Sequence, residues 1–256
     1  MHVVITGASS GIGAALAREL AKAGHSLTLV ARRESLLREL AKTLGVKTHV
    51  VAKDLGEVES AADWIGGAED ALGPIDVLIN NAGVQIVAPT TRVDPSEGER
   101  LLKVDLFAPM RLTQAVLPKM LERKSGVVVD VSSVAALAPT PGMFHYSAAK
   151  AALAAASESL RGELRGTGVH VVTVYPGIIE STEMAKAAMD KYEPSWLLSR
   201  APRGNEDRLA VLVRRAIERK HDRVIYPRSG IFTRWFPGTT RWMLDRFTPP
   251  LRALRA

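Results

Sequence analysis

Seven short apolar, β-branched runs punctuate the chain: His2–Thr6, Ser26–Val30, Thr48–Ala52, Ile75–Asn80, Gly126–Ser132, Val169–Tyr175 and Arg223–Tyr226. Most are continuous rather than alternating, which is the pattern of strands covered on both faces. Between them, helical spacing of apolar positions runs over Gly11–Ala23, Glu34–Thr43, Val58–Leu72, Pro95–Leu121, Phe144–Arg165 and Asn205–Glu218. Gly24, Gly45, Gly73 and Gly166 follow four of these segments, where glycine closes a helix. The alternation predicts a doubly wound α/β domain over 1–227, a seven-stranded parallel sheet with helices on both faces. Residues 228–256 are expected to form an irregular extension.

The first strand leads directly into Thr6-Gly7-Ala8-Ser9-Ser10-Gly11-Ile12-Gly13 and a helix. Only glycine lets backbone approach a pyrophosphate this closely, and the amides at the helix start then face the anion. Gly7, Ser9, Ser10, Gly11, Ile12 and Gly13 are therefore candidate dinucleotide contacts, and the domain is expected to be Rossmann-like. The end of the second strand reads Ala31-Arg32-Arg33, with no acid before Glu34. A carboxylate there would hold a ribose 2′-hydroxyl, whereas guanidinium suits a 2′-phosphate. Arg32 and Arg33 thus favour NADP as cofactor, with NAD as the lesser choice.

Composition narrows the class further. The 256 residues are 46% apolar and 24% charged, enough for a substantial core. No cysteine is present, so disulfides, thiolate metal sites and a cysteine nucleophile are excluded. The six histidines have no metal-ligand spacing, and no metal site is predicted. Apolar runs fall short of the roughly 18 residues of a membrane span, and strand sequence begins at His2. A leader is therefore not expected, and the location read from the sequence is cytoplasmic.

Charge is unevenly placed. Residues 200–256 carry 14 Arg or Lys against 5 Asp or Glu, while the whole chain is only +7. Six of the thirteen aromatics lie there too, including Phe232, Trp235, Phe236, Trp242 and Phe247. Three readings stay open for 231–247: packing on the domain or a second subunit, peripheral membrane contact, and nucleic-acid binding. The last is disfavoured because no recognised nucleic-acid module is present.

The ordered set of motifs resembles the short-chain dehydrogenase/reductase family in its common single-domain form. Beyond the glycine turn, Asp54-Leu55 matches that family's adenine contact. Asn80-Asn81-Ala82-Gly83 matches the segment that steadies the sheet and touches the adenine ribose. Ser133, Tyr146 and Lys150 match its catalytic serine and Tyr-x-x-x-Lys pair. Pro176 and Gly177 match the turn beside the nicotinamide, and Ile179 and Ser181 extend that contact. The likeness runs from Met1 to about Ile179. It implies an oxidoreductase that moves hydride between NADP(H) and a carbonyl/alcohol pair, working as a homodimer or homotetramer.

Tyr146 and Lys150 share a helix face, so the ammonium is expected to lower the phenol's pKa and fit it for proton transfer. Ser133 is expected to hydrogen-bond the reacting oxygen. Two residues depart from the resemblance: Ser181 stands where the family commonly has threonine, with a hydroxyl still available, and Asp105 stands where the family has asparagine. Aspartate accepts hydrogen bonds but donates none unless protonated. Ionised near Lys150, it would raise the lysine's pKa, partly cancel its pull on Tyr146 and alter the proton relay. Asp105→Asn is accordingly expected to preserve or raise turnover. Asp105 is also the only support for a second reading, a catalytically impaired dinucleotide-binding scaffold or sensor.

His145, next to the tyrosine, reads as exposed or as supporting the site from behind, with bordering the substrate as the lesser alternative; the alanine-rich stretch 148–156 reads as a close-packed helix face, within the core or between subunits. The segment 178–202, with Met184, Met189, Tyr192, Trp196 and Leu197, reads as an adaptable cover for an apolar substrate.

Overall fold

The computed structural model describes residues 1–195 and 199–254; Trp196 and Leu197 lie outside them. The strands are β1 (His2–Thr6), β2 (Ser26–Ala31), β3 (Thr48–Ala52), β4 (Val77–Asn80), β5 (Gly126–Val131), β6 (Val169–Pro176), β7 (Ile178–Ile179), β8 (Arg203–Gly204) and β9 (Arg223–Tyr226). Seven form one parallel sheet in the order β3-β2-β1-β4-β5-β6-β9, and β7 pairs with β8 separately. Successive residues of each strand point to opposite faces, so the sheet serves two cores. Val3 and Ile5 meet Leu16 and Leu20 of α1 (Gly11–Lys22), Leu37 of α2 (Glu34–Leu44) and Val213 further along the chain. Val4 points the other way, toward Ile65 of α3 (Ile65–Leu72) and the buried Leu112 and Val116. The doubly wound reading stands.

Chain order reverses between β1 and β4, and a cleft opens there beyond the strand ends. A single hydroxyl closes its floor. Thr6 Oγ1 donates to the Ile79 carbonyl (3.2 Å) and accepts from the amides of Asn81 and Ala82, each at 3.0 Å.

Three segments differ from the sequence expectation. Only Ile65–Leu72 of the 58–72 stretch is α-helical, after a short 3-10 turn at Val58–Ser60. The 95–121 stretch is interrupted: α4 (Pro95–Leu102) passes through a π-helical turn, Lys103–Phe107, into α5 (Ala108–Glu122). The extra residue in such a turn re-aims the side chains it carries, and here it turns Asp105 fully inward. The third difference is the extension, which is largely helical. After α6 (Phe144–Glu163), α7 (Glu183–Met189) and α8 (Glu206–Arg219), it folds into α9 (Gly230–Trp235) and α10 (Pro237–Phe247).

That extension is tied down at both ends. Glu158 of α6 accepts from Arg234 (3.0 Å) of α9, Arg223 (2.9 Å) of β9 and the Tyr175 hydroxyl (2.8 Å). These bonds, Arg223 foremost, hold the Glu158 carboxyl down at about 2. At the far end the chain crosses the cover segment. Tyr192 pairs with Leu251, Glu193 N donates to Pro250 O (3.1 Å), and Arg252 N donates to Lys191 O (3.0 Å).

Candidate active site

The glycine turn follows from its neighbours. Gly7 sits at φ +67°, and a Cβ there would lie 2.7 Å from Ala82 Cα. A Cβ on Gly13 would fall on the Gly7 carbonyl oxygen and 2.6 Å from Asn81 Nδ2. Asn81 Nδ2 donates to Thr6 O (2.8 Å) and Gly7 O (3.4 Å), so this side chain braces the turn from below. The cradle is packed by backbone and the Asn81 amide, and α1 begins at it with no acidic residue in its first turn. Arg33 folds over the rim, with Nη2 donating to Ser9 Oγ (3.1 Å) and Ser10 Oγ (3.0 Å). Arg32 is exposed beside it. A concave set of free amides, two hydroxyls and two guanidinium groups fits a phosphorylated dinucleotide.

Asp54 is already engaged. Oδ1 accepts from Gly56 N (2.9 Å) and Oδ2 from Arg100 Nη2 (2.7 Å). Burial pushes its pKa up, but the Arg100 hydrogen bond and the Gly56 amide outweigh it and the carboxyl stays below its ordinary range.

Ser133 leaves the end of β5, where its Oγ accepts from Ala135 N (3.1 Å) and donates to Pro176 O (3.4 Å). Tyr146 and Lys150 lie one turn apart at the buried start of α6. Lys150 Nζ donates to Val131 O (3.1 Å), pairs with Asp105 Oδ2 (3.1 Å) and stands 5.9 Å from the centre of the Tyr146 ring. Asp105 Oδ1 accepts from Val84 N (2.8 Å). Gly83 makes room for this pair, since a Cβ there would be 2.9 Å from Asp105 Oδ2.

The electrostatics correct one expectation. Burial holds the Tyr146 phenol above its ordinary pKa; Lys150 pulls it down, Asp105 pushes it further up and the Ser133 hydrogen bond lowers it. The net direction is upward, because removing a phenolate from water outweighs one shared cation. Burial also depresses Lys150, yet Asp105 foremost and then Tyr146 leave it raised. That is the effect expected of an acid beside the lysine. Asp105 itself is pushed up by burial, against Lys150 and the Val84 N–H.

One cavity of about 1180 Å³ joins the two halves. Its walls include Gly7, Ser9, Ser10, Gly11, Ile12, Gly13, Arg32, Arg33, Asp54, Leu55, Asn81, Ala82 and Gly83. Asp105, Ser133, Tyr146, Lys150, Pro176, Gly177, Ile179 and Ser181 complete the set, so every sequence-derived site residue faces the same space. Thr182 lines it too, but its hydroxyl caps α7 by accepting from Ala185 N (3.2 Å). Met184, Met189 and Tyr192 cover it as expected. His145 instead packs against Gly98 of α4.

The sequence reading missed the wall built by the extension. Thr233, Thr240, Leu244 and Thr248 all face the cavity. The last three recur every fourth residue, a helical stripe that was there to be read.

A parallel doubly wound sheet with a glycine cradle at its switch point defines a dinucleotide-binding protein. The short chain dehydrogenase family model matches residues 1–193, and the chain belongs to that family. A short chain dehydrogenase of Pseudocercospora fijiensis is 41% identical over 184 residues, 70% of this chain and 59% of the relative. The very-long-chain 3-oxoacyl-CoA reductase of Anas platyrhynchos is 34% identical over 201 residues, covering 75% and 64%. The chain thus spans less than two thirds of these two relatives. Among solved structures, a short-chain dehydrogenase from Streptomyces avermitilis superposes with a TM-score of 0.82 at 30% identity, covering 96% and 94%. A metagenomic short-chain oxidoreductase in complex with NADP gives 0.74 at 30% identity, covering 88% and 96%.

Proposed function

We propose that this chain is an NADP-preferring oxidoreductase acting on an apolar carbonyl/alcohol pair, with Tyr146 as its acid/base. The observation that carries the reading is the shared cavity: the glycine cradle and the Ser133, Tyr146 and Lys150 side chains open onto one space. When bound, the nicotinamide dinucleotide supplies or takes up the hydride. Gly7, Ser9 to Gly13, Asn81, Ala82 and Gly83 would hold it at the cleft floor, and Asp54 and Leu55 would meet its adenine end. Pro176, Gly177, Ile179 and Ser181 border the nicotinamide end. Lys150 serves as a ribose contact as well as a charge.

Tyr146 gives its phenolic proton to the carbonyl oxygen during reduction, or accepts one from the alcohol during oxidation. Ser133 donates to the same oxygen and steadies its developing charge. The Lys150 ammonium stabilises the phenolate left behind. Asp105 is a positioning residue: it fixes the lysine from beneath. Apolar substrate is supported by Met143, Met184, Met189 and Leu244 around the outer cavity, and by the 3-oxoacyl-CoA reductase among the relatives. Exposed Phe107 at the end of the π turn and Met110 on α5, with Phe144 on α6, support a homo-oligomer. Following NADPH absorbance with ketones of increasing chain length tests the reading; no consumption with any of them would overturn it.

Two variants probe particular residues. Arg33→Ala removes a guanidinium that suits a 2′-phosphate, so KM for NADPH should rise about tenfold or more while KM for NADH hardly changes. Equal effects on both would show that Arg33 serves only the serines.

Asp105→Asn offers one carbonyl oxygen where the carboxylate uses two, so Val84 N and Lys150 compete for it. It also removes a charge that raises the Tyr146 pKa. Turnover at neutral pH should hold or increase, and the pH dependence of alcohol oxidation should shift to lower pH. Thermal stability should fall, because Lys150 loses its buried partner. A drop in kcat of about a hundredfold or more, some 2.7 kcal/mol, would show that the carboxylate is indispensable.

A further inference from the structure

We infer that the paired helices α9 and α10 form a docking face for an anionic lipid surface, placed so that the substrate cavity lies directly beneath it. The two sides of this pair differ in kind. Thr233, Thr240, Leu244 and Thr248 turn inward to the cavity. Outward, Trp235 is 72% exposed, Trp242 62% and Phe236 54%. Of all the large apolar side chains left in solvent among the described residues, six lie between Ile231 and Met243. Water is an unfavourable setting for such a cluster, and contiguous apolar surface of this sort marks an interaction site.

Charge decides which occupant it suits. Residues 228–247 hold four arginines and a single acid, Asp245. Arg234 is spent on Glu158, which fixes α9 to the body of the domain. Arg228, Arg241 and Arg246 remain exposed among the rings. A second copy presenting the same face would set arginine against arginine, which argues against self-pairing. Arginine interleaved with Trp and Phe on short helices matches a lipid headgroup boundary, where rings sink in and guanidinium groups meet phosphate. No helix among the described residues is long and apolar enough to cross a membrane, so contact would be parallel to the surface. A substrate leaving the bilayer would then meet the cavity wall that the same two helices build.

The full chain is sedimented with vesicles of phosphatidylcholine alone and with about a third phosphatidylserine. Pelleting is expected on the anionic vesicles, weakened at high salt because exposed charges are screened. The triple variant Trp235→Ala, Phe236→Ala, Trp242→Ala should bind at least about tenfold more weakly with unchanged turnover of a short, water-soluble ketone. Should the triple variant not fold, quenching of tryptophan fluorescence by brominated lipid in the unaltered chain reads the same contact. Four results overturn the inference: no pelleting on anionic vesicles, pelleting unaffected by the triple variant, absence of quenching, or an oligomer that the variant dissociates in place of vesicle binding. Preferential binding to a single-stranded oligonucleotide also overturns it. Pelleting and quenching are read without hydride transfer, so their failure leaves the proposed reaction standing.

Discussion

Tyr146→Phe is expected to lower kcat by about a thousandfold, within the usual range for losing a general acid, while dinucleotide binding survives. The ring is fully packed at the start of α6, and phenylalanine keeps its shape and its place beside Lys150. Under the proposed mechanism, what disappears is the proton that passes to the substrate oxygen. Because burial raises the phenol's pKa, the group holds its proton through neutral pH. Reduction should therefore be flat near neutrality and fall only in alkali. Oxidation needs the phenolate and should climb with pH over the same range. Stopped-flow NADPH oxidation, with cofactor affinity measured separately by fluorescence, checks all of this. Unchanged kcat would assign the proton transfer elsewhere; lost cofactor binding would make Tyr146 structural.

The second large effect is expected at Gly13. A Cβ there meets the Gly7 carbonyl and the Asn81 side-chain amide, and that amide is already held between Thr6 O and Gly7 O. Neither is the loose end of a flexible side chain, so the turn itself must move. Gly13→Ala should cost about 2–3 kcal/mol of stability, as overpacking does. It should also weaken dinucleotide binding by about a hundredfold or more, near 2.7 kcal/mol, since the amides leave their aim. Gly67→Ala is the matched control. That position lies within α3 with nothing near the added carbon, so a gain of roughly 0.5–1 kcal/mol is expected from helix propensity. Thermal unfolding and cofactor titration of the two variants settle the matter, and similar behaviour would remove the steric argument.

How legible the site was depends on how local its determinants are. The glycine cradle is written in one octet, and Tyr146 and Lys150 face one way because a helix repeats near every fourth residue. The seven strands were recoverable because burial on both faces leaves an unbroken apolar run. Asp105 illustrates the opposite case. Its neighbours continue a helical pattern, and only tertiary packing against Val84 and Lys150 selects the wider π turn that swings it inward. The upward net direction of the Tyr146 pKa was likewise invisible, since burial is set by the whole fold. The extension read as irregular because Pro237 and Gly238 split two short helices whose inner stripe is mostly threonine.

The crossing of Pro250–Arg252 over Lys191–Glu193 sets the end of the chain, as a strap, against a stretch that also walls the cavity. Tyr192 lines the chamber and carries the strap, so if a lodged molecule favours the docked posture of this stretch, the docked strap favours the molecule by an equal free energy. Loosening that seam is accordingly expected to shorten occupancy of the chamber while leaving the bond-making step itself untouched.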